Sequence, residues 1–206
     1  MKFYYSPGSC ALAVQIALFE AGADFEATRL NFGAAEQSSD AFLAINPKAR
    51  VPALVTEHGI LTETPALLLY IAQAYPDAAL APLDNPFELA RMQAFNNYLC
   101  STVHVAHAHG GRGVRWADQP ESLADMKNKV PETMTACFEL IEQEYFKGPW
   151  VMGEDFSICD GYLLTVSNWL ARDQVDRTRF PKVDAHAARM LERPLTRQAW
   201  EQHFAE

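Results

Sequence analysis

The pattern of apolar and polar positions divides this 206-residue chain near residue 76. Before that point, short strand-like runs alternate with stretches of helical spacing. Leu12, Ile16 and Phe19 recur at i, i+4 and i+7, and Gly22 stands where a glycine commonly follows the end of a helix. After residue 76 every periodic stretch is helical, which predicts two parts of different fold class.

The first part contains four predicted strands, of which the first, Lys2–Tyr5, is followed by a Ser-Pro-Gly turn. The others are expected at 25–30, 53–55 and 60–61, and the last two form an antiparallel hairpin. Helical segments follow the first strand, occupy 40–45 and begin near Pro65. This order, βαβαββα, predicts an α/β domain over residues 1–76, and the thioredoxin-like arrangement is the common topology for it.

The second part begins after a segment that contains three prolines and no periodicity, so we expect a linker over 77–86. Beyond it the pattern predicts an all-helical domain over 87–206. Ser157 and Asp160 fit the S-x-x-D form of a capping box, which predicts that a helix begins there. The expected helices are 87–109, 123–145, 157–171, 183–191 and 195–204.

Composition and charge narrow the class of protein. A formal charge of −9 argues against nucleic acid and against an anionic membrane surface as partners. The first residues lack the apolar core of a signal peptide, and no apolar run approaches the length of a membrane span. Four widely spaced cysteines without a C-x-x-C pair indicate free thiols, so we expect a cytoplasmic protein.

Cys10 is the first candidate for chemistry because it follows a strand and a tight turn and then opens a helix. The free N–H groups and the positive end of the helix dipole at that place favour a thiolate. The alternative is a small buried hydrophobic residue. Pro7 stands where a thioredoxin-type partner thiol would be, so Cys10 has no local disulfide partner. The other three cysteines lie in helical patterns and are expected in the core.

Two further positions indicate a small ligand with a peptide backbone. Pro52 has no N–H, whereas Val51 keeps both main-chain groups, so a short extended peptide could pair with Val51 as an added strand. Glu63 and Thr64 stand at the start of the third predicted helix, where N–H groups and a hydroxyl suit a carboxylate and Glu63 suits an ammonium group. A plain X-Pro turn and an ordinary helix start are the alternatives.

These features occur in an order and spacing that resemble a known family. SPGSC, NPKARVPAL and LTETPALLLYIA, followed by SICD in the helical part, are similar to the cytosolic glutathione S-transferases. The nearest class is the bacterial beta class, which has a Cys at the position of Cys10. The resemblance implies a thioredoxin-like domain with a cis Val51-Pro52 bond and glutathione as co-substrate. It implies that Val51 pairs with the cysteinyl part, that Glu63 and Thr64 hold the γ-glutamyl end, and that the protein is a homodimer.

The cation for the glycyl carboxylate of glutathione stays open. Beta-class enzymes often use a Lys in the loop after the second strand, but residues 32–36 offer none. Arg50 is the expected replacement because a guanidinium binds a carboxylate bidentately, and Lys48 is the second choice. Both are equally well explained as exposed loop charges.

The nucleophile assignment has alternatives, because other classes of the family hold the glutathione thiolate with a Tyr or Ser hydroxyl. Ser9 and Tyr5 are such candidates after Cys10, although Ser9 also fits a helix N-cap and Tyr5 a core strand residue. His104 matches a beta-class position near the catalytic Cys. Asn97 matches another position near bound glutathione.

The segment 104–113 contains three histidines, three glycines and an arginine. Only the first two histidines share a helical face and no acid or Cys joins them in sequence, so we expect no metal site. The glycines are expected to end or kink the helix beside the pocket for the second substrate. Arg112 and Arg115 could attract anionic or polar substrates, or be solvated charges at a helix end.

The predicted activity is conjugation of glutathione to small hydrophobic electrophiles. Three alternatives stay open. The first is a glutathione-dependent thiol-disulfide oxidoreductase in which Cys10 itself attacks. The second is a glutathione-dependent isomerase or ether-cleaving enzyme. The third is a non-catalytic interaction module with the same fold.

Overall fold

The first part of the molecule is built on one four-stranded sheet. The computed structural model describes residues 1–204, and in it β1 runs parallel to β2 and antiparallel to β3. β3 and β4 form the predicted antiparallel hairpin. The order across the sheet is β2-β1-β3-β4, with β1 (Lys2–Tyr5), β2 (Glu26–Arg29), β3 (Ala53–Thr56) and β4 (Gly59–Thr62).

Three helices connect these strands. α1 (Ala11–Glu20) leads from β1 to β2 and is buried from Ala11 to Leu18. Gly22 follows it with φ of +64°, the left-handed conformation that glycine adopts without strain. The short α2 (Asp40–Leu43) precedes β3, and α3 (Thr64–Ala74) follows β4. The predicted order βαβαββα and the thioredoxin-like arrangement are therefore confirmed.

The second part begins with one long helical segment rather than a simple helix. α4 (Pro86–Tyr98) is capped by the Asn85 side chain, which accepts from the N–H of Glu88 at 3.2 Å. A π-helical turn, Leu99–Val103, joins α4 to α5 (His104–Arg112) without a break. The predicted end at residue 109 was wrong, because the helix continues through Gly110 and Gly111 to Arg112. The helix ends before Gly113, where an added Cβ would lie 3.0 Å from Leu123 Cδ2.

The remaining helices complete the predicted all-helical part. They are α6 (Pro120–Leu140), α7 (Ile158–Ser167), α8 (Pro181–Glu192) and α9 (Pro194–Phe204). Ser157 and Asp160 form the predicted capping box at the start of α7. The predicted extension of this helix to residue 171 was wrong, because α7 ends at Ser167 and turns follow. No helix among the 204 described residues is long and apolar enough to cross a membrane.

The two parts share one packed interior. α1 packs against α7 and α9, and Gly161 permits the first of these contacts because a Cβ there would lie 3.3 Å from Ile16 Cγ2. Arg193 binds the Glu20 carboxylate with two hydrogen bonds of 2.9 and 2.6 Å. The segment between the parts is also fixed, since the Leu80 carbonyl accepts from the N–H of Ile158 at 3.0 Å. This packing holds the helical part beside the loops at one edge of the sheet.

Candidate active site

A cleft of about 910 Å³ lies between the sheet loops and the helical part. The turn after β1, the segment before β3 and the start of α3 form one wall. α5, the middle of α6 and the segment after α7 form the other. The predicted residues Ser9, Cys10, Val51 and Thr64 all line it, together with Arg50, Pro52, Glu63 and His104.

Cys10 stands immediately before α1 and faces the segment before β3. Its Sγ lies 3.7 Å from the carbonyl oxygen of Val51. Burial raises the pKa of the Cys10 thiol to about 11, an effect that the Thr64 hydroxyl only partly opposes. The expectation that the helix terminus makes Cys10 a thiolate is therefore wrong, because with this pKa the thiol is protonated at neutral pH.

Ser9 supports the turn that carries Cys10. Its hydroxyl donates to the carbonyl oxygen of Ser6 at 2.6 Å and accepts from the N–H of Ala11 at 3.3 Å. Ser9 therefore caps the first N–H of α1, although the residue directly before this helix is Cys10 rather than Ser9. Because the Ser9 hydroxyl donates over 2.6 Å whereas the Cys10 thiol donates to the Val51 carbonyl over 3.7 Å, Ser9 has less freedom than Cys10 to donate to a ligand.

The segment before β3 presents an unpaired peptide edge to the cleft. The Val51-Pro52 bond is cis, as the resemblance implied. The Val51 N–H makes no hydrogen bond with any of the described residues, and β-sheet pairing begins only at Ala53. The Asn46 side chain fixes this segment by donating to the carbonyl oxygen of Arg50 at 2.6 Å. The Arg50 side chain is exposed and lines the cleft.

Glu63 and Thr64 begin α3, and both line the cleft. Glu63 has a φ of +74°, a left-handed conformation that costs a non-glycine residue about 1–3 kcal/mol. Its carboxylate forms an ion pair with Lys48, whose Nζ also donates to the Thr62 hydroxyl at 2.9 Å. Lys48 does not line the cleft, so it supports Glu63 rather than facing a glycyl carboxylate.

Besides Lys48, two more of the predicted site residues do not line the cleft. The Tyr5 ring is buried in the core, stacked on Phe3 and 4.9 Å from the ring of His203. Its reading as a core strand residue is therefore the right one. Asn97 is exposed, and its carbonyl oxygen accepts from the Ser101 hydroxyl at 2.8 Å. Within this single chain Asn97 is not brought to the other site residues.

The helical wall contains an aromatic and acidic cluster that the sequence did not reveal. Trp169 donates from Nε1 to the carbonyl oxygen of Gly8 at 2.9 Å, and its ring contacts both His104 and His107. Nδ1 of His107 lies 2.7 and 2.9 Å from the carboxylate oxygens of the buried Asp173. Burial and then the neighbouring His107 lower the pKa of His104 to about 4, so that imidazole is neutral at neutral pH.

The residues that were missed have no local signal. Asp173 is 66 positions from His107, and Trp169 lies in a stretch that was predicted as the tail of a helix. Cys100 was assigned to the core but lines the cleft, whereas Cys137 and Cys159 are buried as expected. Among residues 1–204, no group of three or more His, Cys, Asp or Glu side chains could hold a metal ion.

Known proteins identify the family. Residues 1–73 match the model of the glutathione S-transferase N-terminal domain. The chain is 46% identical to a glutathione transferase homologue from Sulfitobacter, solved with bound glutathione, with a TM-score of 0.94 over 98% of this chain and 97% of the other. The chain belongs to the glutathione S-transferase family. This confirms both the predicted family and the predicted enzyme class, a glutathione transferase.

Two further relatives bear on the class within the family. A beta-class glutathione S-transferase structure from Sphingomonas chungbukensis is 33% identical, with a TM-score of 0.85 and 98% coverage of both chains. The glutathione S-transferase GstA of Escherichia coli O157:H7 is 29% identical over 97% of this transferase and 96% of its own length. The predicted resemblance to the bacterial beta class is confirmed. Both relatives match this transferase over nearly its whole length, so the similarity covers both walls of the cleft.

Proposed function

We propose that this transferase binds glutathione along the sheet side of the cleft and conjugates it to a small electrophile. The unpaired peptide edge at Val51 carries the proposal, because it lies beside the Cys10 thiol and the start of α3. The cysteinyl part of glutathione pairs with Val51 as a short added strand. The glutathione sulfur then lies near Cys10.

The two ends of glutathione are assigned by charge. The γ-glutamyl end lies at Glu63 and Thr64, where Glu63 receives the ammonium group and the first N–H groups of α3 receive the carboxylate. The glycyl carboxylate lies at Arg50, whose guanidinium makes no ion pair with the described residues. Lys48 is already bound to Glu63, which favours Arg50 over Lys48 for this role.

Conjugation is favoured over thiol-disulfide exchange by the state of Cys10. A protonated thiol donates a hydrogen bond and is a poor nucleophile. We therefore assign Cys10 the role of donating to the glutathione thiolate, with Ser9 second, while the glutathione sulfur attacks the electrophile and the leaving group departs with the bonding electron pair. The neutral His104 contacts Trp169 in the opposite wall and adds no positive charge near the thiolate.

Replacing Glu63 by Gln tests this assignment. The amide cannot pair with the glutathione ammonium, so we expect glutathione to bind at least about 10-fold more weakly, a loss of about 1.4 kcal/mol, with the fold intact. Isothermal titration with glutathione measures the affinity, and the rate with 1-chloro-2,4-dinitrobenzene measures conjugation. Glu57→Gln is the matched control, because Glu57 lies at the exposed hairpin turn outside the cleft.

Unchanged affinity in Glu63→Gln would contradict the clamp at α3. Absence of any glutathione binding by the unmodified protein would contradict the proposed function itself and would favour an interaction module.

The homodimer implied by the resemblance also stays a proposal. It is supported by the resemblance to the family, and the Phe87 side chain near the start of α4, which is 71% exposed, is a position that a partner subunit could cover. Sedimentation velocity should give twice the 23.0 kDa mass of the chain. A species of single-chain mass would contradict it.

A further inference from the structure

The charge of the cleft is opposite to the charge of the whole protein. The chain has a formal charge of −9, yet five cationic side chains and only two carboxylates line the cleft, a formal charge of +3. The five cationic residues are Arg50, Arg112, Arg115, Lys127 and Arg172. A cleft of one sign concentrates ligands of the opposite sign, and more strongly than the same charges would on an open surface.

Both carboxylates of the cleft are already paired. Glu63 is bound by Lys48, and Asp173 is bound by His107. None of the five cationic side chains is within ion-pair distance of an acid among residues 1–204. Like charges that converge without a counter-charge repel one another, and burial together with Arg50 and Arg112 lowers the pKa of Arg115 from its ordinary value.

The four cationic residues of the helical wall come from three separate segments. Arg112 ends α5 and lies over the Phe32 ring at 5.8 Å, and Arg115 follows in the next turn. Lys127 comes from α6, and Arg172 lies against α5 at Gly111. Solvated charges at the end of a single helix would not include side chains from such distant parts of the chain. Their convergence indicates that the helical wall can hold an anionic group in addition to the glycyl carboxylate assigned to Arg50.

We propose that the electrophile conjugated by this transferase carries a carboxylate, and that Arg112, Arg115 and Arg172 bind that carboxylate opposite the glutathione sulfur. The proposal rests on the proposed function. Guanidinium groups suit it because they bind carboxylates bidentately and stack on aromatic rings. The reacting part of the electrophile lies among the apolar side chains of the same wall, such as Val105, Ala108 and Val130.

A matched pair of aryl chlorides tests the preference. With 4-chloro-3,5-dinitrobenzoate, the glutathione thiolate forms a carbon–sulfur bond at C4, the carbon–chlorine bond breaks, and chloride leaves with the electron pair. The proton of the glutathione thiol passes to the buffer. The corresponding benzamide undergoes the same reaction without the negative charge. After correction for uncatalysed rates, we expect kcat/KM for the benzoate to exceed that for the benzamide at least tenfold.

Variants locate the preference. Arg112→Gln and Arg115→Gln should each lower kcat/KM for the benzoate at least fivefold more than kcat/KM for the benzamide, mainly through KM of the benzoate. Arg29→Gln is the matched control, because Arg29 is exposed on β2 and does not line the cleft. Equal kcat/KM for the two substrates, or equal losses for both in the variants, would overturn the proposal.

A binding measurement separates this proposal from the proposed function. S-(4-carboxybenzyl)glutathione and S-benzylglutathione differ only in the carboxylate, and their affinities do not depend on catalysis. Tighter binding of the carboxylate form, lost in the Arg112→Gln/Arg115→Gln double variant, would support the anion site even if no conjugation were detected. Equal affinities would overturn the anion site alone. Failure of both to bind would overturn it together with glutathione binding.

Discussion

Cys10 is subject to two opposed influences that the sequence alone could not rank. The start of α1 favours a thiolate, whereas burial against Val51 disfavours it. The pKa is raised from 9.0 to about 11, so burial is the larger effect, and the thiolate fraction at pH 7 is lower by about 100-fold.

The reactivity of Cys10 should therefore keep rising with pH. We expect its alkylation by iodoacetamide, followed by mass mapping of the Cys10 peptide, to increase about tenfold per pH unit from pH 7 to 10 without a plateau. Incubation with oxidised glutathione at pH 7 should give little adduct at Cys10. Cys10→Ala identifies the peptide signal and serves as the control. A plateau below pH 9, or rapid formation of a Cys10 mixed disulfide, would favour the oxidoreductase alternative.

The site residues that the sequence predicted share one property: they stand at the ends of strands and helices. Cys10 precedes a helix, Val51 precedes a strand and Glu63 precedes a helix, so local signals mark them. Asp173 and Trp169 have no such mark, because their roles come from contacts with His107 and Gly8 that are far away in sequence. Whether burial or the helix terminus has the larger effect on the pKa of the Cys10 thiol can also be decided only from the tertiary structure.

At the scale of elements, the sequence predicted where helices begin better than it predicted irregular turns inside them. The second part has proline in the first turn of α4, α6, α8 and α9, which fixes where each begins. The π-helical turn Leu99–Val103 contains no proline or glycine that would mark it and was therefore missed. Gly161, in the first turn of α7, permits the close approach of α1 to α7, a tertiary contact that no local pattern marks.

The capping box of α7 is expected to be a principal determinant of stability. Asp160 is fully buried and accepts hydrogen bonds from the N–H groups of Ser157 and Val151 at 2.8 and 2.9 Å. Its carboxylate also lies 3.0 Å from Nε2 of His186. Asp160→Ala leaves several of these buried groups unpaired, so the free energy of unfolding should fall by about 3–5 kcal/mol.

Urea unfolding followed by circular dichroism measures this loss. Ser157→Ala removes the cap to Cys159 and one hydroxyl bond to Asp160 and should cost about 1–2 kcal/mol, which keeps the test informative if Asp160→Ala does not fold. Asp155→Ala, at an exposed position in the preceding loop, is the control. Equal effects of Asp160→Ala and Asp155→Ala would contradict the structural role of the box.

At the scale of the whole molecule, α9 joins the helical part to the loop that carries the predicted catalytic residues. His203 is buried; its Nδ1 accepts from the N–H of Gly8 at 3.3 Å, and its Nε2 donates to Oε1 of Gln15 at 2.8 Å. The neutral imidazole of His203 therefore makes one hydrogen bond with each of its two ring nitrogens. Burial, and to a smaller extent Arg29, lowers the pKa of His203 to about 4.

This pairing predicts that the molecule loses stability in mild acid. Because the pKa of His203 is about 4 in the folded state and near 6.5 when unfolded, the unfolded chain binds more protons between these values. Stability therefore falls as the pH decreases from about 6.5 towards 4, by about 1–2 kcal/mol between pH 7 and 5 for this residue. Protonation of Nδ1 would also remove the bond to Gly8, two residues before Cys10.

Urea unfolding at pH 7, 6 and 5 measures this loss. The free energy of unfolding should decrease less in His203→Gln than in the unmodified protein, whereas His58→Gln, at the exposed hairpin turn, should show the same decrease as the unmodified protein. An identical pH dependence in His203→Gln would mean that α9 does not couple protonation to the stability of the two joined parts.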